Sequence, residues 1–462
     1  MTREPPEPVR EWEAAVFEFL DAPVPEEVLE HGAKTVADVL AATVAGSAAP
    51  PYRETWAAMD LPAGPATVLG TDRTTAPMQA AALNGTAAIV QEVEEGHNTG
   101  GHVGSGIVVG GLAVAEATDA SGEQFVEACV RAYEVCARLE EALFRMKGRI
   151  NDAVPWLVRN PHATWTVVGP ALAGVLATGA DTATVRETFR LAANRAVVSM
   201  DDPYASGPPS RNLTAGASAS VGVLMAQQAR AGMTGSGGVI EAVYDPFDDD
   251  EADPGWLTDR FADLGERWES TYNYFKPYPS CRYTHPPLDA LRDVDGVSQF
   301  DPDDIDRIVV ETYANAAEMR RQDPDTLTGA KFSIPYVLAR YLQSGEVTLE
   351  HFDPESIADP AVRSLAERVE VRVDSAFEAA FSEDWGARVT VELTDGSRHA
   401  AERTYPRGDY RDPIDDEAFD ERLRTLLAWG LPDAAVADAH DALSTLRRSA
   451  VRDTATALAT DS

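Results

Sequence analysis

SGEQFVEACVRAYEVCARLEEAL, running from Ser121 to Leu143, sets the character of the first half of this chain. Ser121 and Gln124 have the spacing of a capping box, in which two side chains satisfy N–H groups that a helix start leaves unpaired. Apolar residues then recur at helical spacing through Leu143. Around this helix, Val103–Ala117, Thr166–Ala177 and Ala215–Ala231 are rich in Ala and Gly, side chains small enough to let helices approach closely. The pattern changes after about Trp268. DRIVVETY (Asp306–Tyr313), Val369–Val373 and ARVTVEL (Ala387–Leu393) alternate or run β-branched, and Thr394-Asp395-Gly396 is a hairpin turn signal. Helical stretches, Phe332–Gln343 and Pro360–Arg368, lie between them, and a helical pattern returns from about Asp412 to Leu446. The expected fold is mainly α with α+β: a large all-helical domain over 1–268, a smaller α+β domain over 269–408, and C-terminal helices over 409–462 that return to the helical domain.

The chain has 462 residues, 44% hydrophobic and 25% charged, enough for two or three cores. Lys and Arg total 39 against 76 Asp and Glu, a net charge of -37 spread from Glu4 to Asp461. Such a surface belongs to a salt-adapted proteome, because in molar salt the Debye length shrinks to about 3 Å and self-repulsion is screened. It disfavours nucleic acid and anionic membranes as partners, and an anionic substrate needs a local cationic pocket. The N-terminus, MTREPPEPVREWE, reads as neither signal peptide nor anchor, and the longest apolar run, Ala163 to Ala180, is broken by Pro170, Gly and Thr. A cytoplasmic protein is expected. Cys129 and Cys136 fall on one helix face about 10 Å apart, among apolar neighbours, which suits core thiols better than iron–sulfur ligands. Cys281 fits either a pocket wall or a packed thiol. GGHVGSGIVVGG follows a helix rather than a strand and has no G-x-G-x-x-G register, so dinucleotide binding is set aside.

Four stretches carry candidate chemistry. KPYPSCRYTHPPLDA, Lys276 to Ala290, opens on one of only four lysines in the chain, with Lys34, Lys147 and Lys331. A chain that uses arginine elsewhere and keeps a lysine beside Tyr278, Arg282, Tyr283 and His285 points to a job for a compact ammonium; the competing reading is a surface lysine in a turn. QEVEEGHNTGGHVGSG, Gln91 to Gly106, gathers Glu92, Glu94, Glu95, His97 and His102 in a loop suited to a metal site or an acid/base cluster, or to plain solvation. RNPHATWT puts His162 at an apparent helix start. SRNLTAGASAS puts Arg211 ahead of a small-residue helix, where a guanidinium can clamp a carboxylate.

In this order, these stretches resemble the MmgE/PrpD family. The resemblance runs through KTVADVLAATVAGSAAP, ALNGTAAIV, the acidic–His loop, ASGEQFVEACVRAYEV, PHATWTVVGPALAG, KPYPSCRYTHPPLDA, AKFSIPYVLARYLQSGEVTLEHF and RGDYRDPIDDEAF, and so covers most of the chain. The family includes 2-methylcitrate dehydratases, cis-aconitate decarboxylases and a dicarboxylate epimerase. The resemblance implies a helical domain with an α+β lid, a homodimer, an active site in the interdomain cleft and no cofactor or metal. It also implies that Glu92, Glu94 and Glu95 stand for the aspartates of a D-x-D-D-T-H loop, with Gly96 in place of its threonine. His97 and His102 keep their places, His162 matches a family histidine and Lys276 a family lysine. Where the family commonly has K-P-L-H, this chain has Arg211, Asn212, Leu213 and Thr214, keeping the charge but not a proton-transfer group.

These parts suit proton abstraction next to a carboxylate, with the developing negative charge met by fixed cations. The expected catalytic residues are His102, His162 and Lys276; the expected substrate contacts are Glu92, Glu95, His97, Arg211, Arg282 and His285. The expected activity is that of a cofactor-independent lyase on a small di- or tricarboxylate, 2-methylcitrate dehydration first. Decarboxylation or epimerisation are the alternatives, and a non-catalytic metabolite-binding homodimer is the alternative outside enzymes.

Overall fold

The structure, a computed structural model, describes residues 11–460 except 51, 100, 154–164, 196–206, 208, 246–254 and 382. The stretch from Ser121 folds as expected. Ser121 N–H donates to Gln124 Oε1 at 3.1 Å and Gln124 N–H to Ser121 Oγ at 3.2 Å, and the helix then runs Gly122–Ala153. Its apolar stripe, including Phe125, Cys129, Val130, Cys136 and Leu139, is buried in the larger of the hydrophobic cores. All three cysteines are buried, and none is in a disulfide among the described residues.

Small residues set how the helices of this core approach. The Pro77–Val90 helix meets the Leu213–Arg230 helix at Gly85 and Gly216, where a Cβ on Gly85 would lie 2.9 Å from the Gly216 Cα. That close crossing brings Arg211, just ahead of the second helix, toward the C-terminal end of the first. The Asp416–Gly430 helix lies along Glu26–Ser47, and Phe419, Leu423, Leu426 and Leu427 belong to the same core as Val39 and Leu40.

A second core spans residues from Tyr278 to Val391. It covers one face of a four-stranded sheet in the order Val369–Val373, Ile305–Thr312, Ala387–Leu393, Arg398–Arg403. The first pair is parallel, with Ile308 opposite Val369, and the others are antiparallel, with Val310 opposite Val389. Ile308, Val310, Val389 and Val391 are wholly buried in one core with residues of the His285–Arg292 and Ile334–Ser344 helices. Gly396, at φ 86°, makes the turn of the expected hairpin. The fold class is thus mainly helical with a smaller α+β part, and no helix among the described residues is long and apolar enough to cross a membrane.

The N-terminal part is not purely helical. Ala66–Thr67 pairs with Thr74–Thr75, and Gly96–His97 pairs antiparallel with Asn273–Tyr274. Two residues are too few to leave a periodic signal in the sequence. The second pair matters most, because it stitches the acidic loop to the strand that leads into Lys276.

Candidate active site

The Pro77–Val90 helix ends at Gln91, and the next residue, Glu92, sits at φ 51°. This is the left-handed position that usually falls to glycine after a helix. A non-glycine residue there costs of order 1 kcal/mol or more and persists only where its surroundings fix it. Ion pairs fix it here. Glu92 Oε1 lies 2.6 Å from Arg211 Nη1, and Glu92 Oε2 lies 3.0 Å from Lys276 Nζ. The ammonium is also 3.9 Å from Glu94 Oε2. Lys276 is wholly buried, which removes the reading of a surface lysine in a turn.

His102 is the residue just before the Val103–Ala117 helix. Its Nδ1 lies 2.6 Å from Glu94 Oε1, a close contact short of an aligned hydrogen bond, and its Nε2 lies 4.0 Å from Glu92 Oε2. The side chain is 21% exposed while Glu92, Glu94 and Lys276 are at 2% or less, so approach from outside reaches the imidazole first. Burial pushes the Glu92 carboxyl up, but Lys276, Arg211 and His102 outweigh it and hold the group well below the usual carboxylate range. Burial likewise opposes ionisation of Glu94, and Lys276 and His102 win there too. Two buried carboxylates therefore face Lys276 and Arg211, with the His102 imidazole beside them.

Glu92, Glu94 and His102 place one ligating atom each within 4.8 Å of one another, the spacing of a metal site. The Lys276 ammonium lies against the same two carboxylates. A positive charge built into the chain thus already does what a cation would do for them.

The expected substrate contacts divide. Arg211 joins the cluster and lies over the Phe332 ring at 5.0 Å. Glu95 does not face it: its Oε1 accepts from Gly104 N–H at 2.7 Å, tying down the start of the next helix, and its Oε2 accepts from Tyr133 Oη at 2.9 Å. His97 is held at both nitrogens, by Thr99 Oγ1 at 3.0 Å and Glu269 Oε2 at 3.2 Å. His285 is wholly buried, with Nε2 3.1 Å from Ser280 O, and burial together with Arg282 and Lys276 holds it well below the usual imidazole range. Glu95, His97 and His285 thus each have partners within the protein. Arg282 donates to Asp409 Oδ2 at 2.8 Å. His162 lies outside the described residues.

Sequence reasoning passed over Lys331 and Arg422. Lys331 is wholly buried and donates at 2.9 Å both to Gln91 O, at the end of the Glu92 helix, and to Pro279 O, in the Lys276 stretch. The scarcity argument that picked out Lys276 applies equally to it. Arg422, on the Asp416–Gly430 helix, donates to Asp38 Oδ1 at 2.7 Å and also to the carbonyls of Val93 and Lys276. In a helix with more acids than arginines, and with Arg424 two residues on, it carries no distinguishing pattern.

Behind the loop lies a second set of acids. Burial pushes Glu95 up to about 8 and Glu140 up to about 8. The folded chain therefore holds protons that the unfolded chain releases near the ordinary value of 4.5. Stability should fall as pH rises across that window, by about 1.4 kcal/mol per pH unit for each such group, and level off above it. The lowered Glu92 and Glu94 act oppositely, losing their stabilising contribution as pH falls through the acid range. Thermal melts from pH 5.5 to 9 should show a smaller decline in Glu140→Gln than in the parent; an equally steep decline would mean that the carboxyl is not held protonated.

Known proteins align with this architecture over most of its length. Residues 18–248 match the MmgE/PrpD N-terminal domain and residues 278–446 the MmgE/PrpD C-terminal domain. The cis-aconitate decarboxylase-like protein oryM of Aspergillus oryzae is 25% identical over 89% of this chain and 88% of its own. The cis-aconitate decarboxylase of Aspergillus terreus is 22% identical over 92% of this chain and 90% of its own. With both domains matched in order around the Glu92–Lys276–His102 cluster, the chain belongs to the MmgE/PrpD family.

Proposed function

We propose that this protein is a cofactor-independent lyase acting on a small tricarboxylate, with 2-methylcitrate-like dehydration as the first reading. The observation that carries it is the partly exposed His102, set against Glu94 and beside two cations that Glu92 holds in place. In this reading His102 takes the proton from the carbon next to a substrate carboxylate. Lys276 and Arg211 meet the negative charge that builds there. The electron pair then expels hydroxide from the neighbouring carbon, which leaves as water once protonated. His162 is the acid that the family resemblance supplies for that step. Lys276 has N–H donors beyond the one on Glu92, and Arg211, whose Nη1 donates to both Glu92 Oε1 and Asn212 Oδ1, keeps its Nε and Nη2 donors, so both can hold substrate oxygens while keeping their positions. Decarboxylation of cis-aconitate is the second reading, favoured by the names of the two relatives; there the histidine would deliver a proton to the carbon that loses carbon dioxide.

Incubation of citrate, 2-methylcitrate and cis-aconitate with the protein in deuterated, high-salt buffer tests the shared step by NMR. The expected result is deuterium entry or loss of water or carbon dioxide with at least one acid, unchanged by EDTA. Inertness toward all three would favour a metabolite-binding relative, and loss of activity with chelator would favour a metal at Glu92, Glu94 and His102.

A further inference from the structure

Beside the cluster lies a group of buried donors that the ion pairs above do not use. Tyr274 pairs with Gly96 across the short strand bridge, and a Cβ on Gly96 would lie 2.3 Å from its hydroxyl oxygen. The acidic loop therefore needs glycine here, so that the phenol can fit against its backbone. The hydroxyl is buried and has no hydrogen-bond partner among the described residues. Arg282 stacks on the same ring, its Cζ 4.0 Å from the centroid. One of its terminal nitrogens is bound to Asp409, but Nε and Nη1 are buried without hydrogen-bond partners among the described residues. Asp409 is itself shared, taking Arg411 Nε at 2.8 Å. The third donor is Tyr313, wholly buried and stacked on Phe381 at 4.3 Å, with its hydroxyl also unpartnered and within electrostatic reach of Arg282 and Tyr274. Cys281 links the two groups, within electrostatic reach of Glu92, Lys276 and Arg211 and also of Tyr274 and Tyr313.

Buried donors without acceptors are costly and rare in folded proteins. Two phenols and a guanidinium with free N–H groups, next to a site for acids, have one shared complement: an anionic, planar acceptor. We propose that Arg282, Tyr274 and Tyr313 form a second carboxylate subsite, which takes a carboxylate of the substrate remote from the one undergoing reaction. This rests on the reading of the neighbouring cluster as the reacting centre. Lys276 and Arg211 then serve the carbon acid while Arg282 and its two phenols measure whether a further carboxylate is present, so the subsite selects di- and tricarboxylates over monocarboxylates. The rigid stack around Tyr313 suits selection, since its hydroxyl cannot swing to find another partner.

The probe is tricarballylate, a tricarboxylate without a hydroxyl to lose, titrated calorimetrically into the full-length protein in molar potassium chloride. Tyr274→Phe and Tyr313→Phe each delete one hydroxyl and keep the ring. Each is expected to weaken tricarballylate by about tenfold or more, the loss of a hydrogen bond to a charged group. Their melting temperatures without ligand should be equal to the parent's or higher, because the deleted hydroxyls have no partner to lose. Unchanged affinity in both variants would overturn the subsite, as would a melting temperature several degrees lower, which would make the hydroxyls structural. Failure of the parent to bind tricarballylate would overturn both the subsite and the proposed function. Tyrosine-dependent binding without proton exchange on any acid would leave the subsite standing and remove the reaction.

Discussion

Lys276→Ala should lower turnover by about 10²–10³-fold, the usual effect of removing one group that meets transition-state charge, and should also destabilise the fold. The two effects share a cause. The ammonium is wholly buried between Glu92 and Glu94, 3.0 and 3.9 Å away, and breaking a buried pair from one side typically costs about 3–5 kcal/mol because the stranded charge stays in the interior. Lys276→Arg separates charge from shape. A guanidinium is planar and larger than an ammonium, and Lys276 is packed against Glu92 and Glu94, so arginine should lose nearly as much activity as alanine. Turnover and melting temperature of both variants, on an acid that passes the exchange assay, check this. Full activity in Lys276→Arg would mean that any cation suffices; full activity in Lys276→Ala would move the reacting centre elsewhere.

His102→Ala should lower turnover by about 10²–10⁴-fold, the range for a general acid/base group, with little change in the melt. The imidazole is partly exposed, and Glu94 keeps Lys276 as a partner when it is gone. Because the side chain is reachable from outside, added imidazole should restore part of the rate, a response that a packing residue would not give. Near-parental turnover in His102→Ala would take the base role away from this residue.

The sequence made the long helix from Ser121 and the sheet strands legible because both carry periodic signals over many residues. Lys276 was legible for another reason, the near absence of lysine from the background. What it lacked was any statement of pairing. The acidic loop reads as five acid/base residues in a row, and only the left-handed turn at Glu92 and the bridge from Gly96 to Tyr274 decide which of them face Lys276 and which face inward. Glu95 and His97 flank that bridge, and a one-residue change in pairing would exchange the sides they face. Tyr274 itself lies just before the prolines that draw attention to Lys276, in a two-residue strand too short to leave a pattern.

The Arg422 clamp has a consequence for how the site comes into being. Its guanidinium joins Asp38, Val93 and Lys276, residues 384, 329 and 146 positions earlier in the chain. Contacts so distant in sequence close late, since the chain loses loop entropy before the bond rewards it. During synthesis the acidic loop and the lysine emerge long before the arginine that locks their backbones together. Emergence of the Asp416–Gly430 helix is therefore the event that brings the clamp to the cluster, and a nascent chain ending short of it holds its acids and its lysine without the clamp that sets them in register.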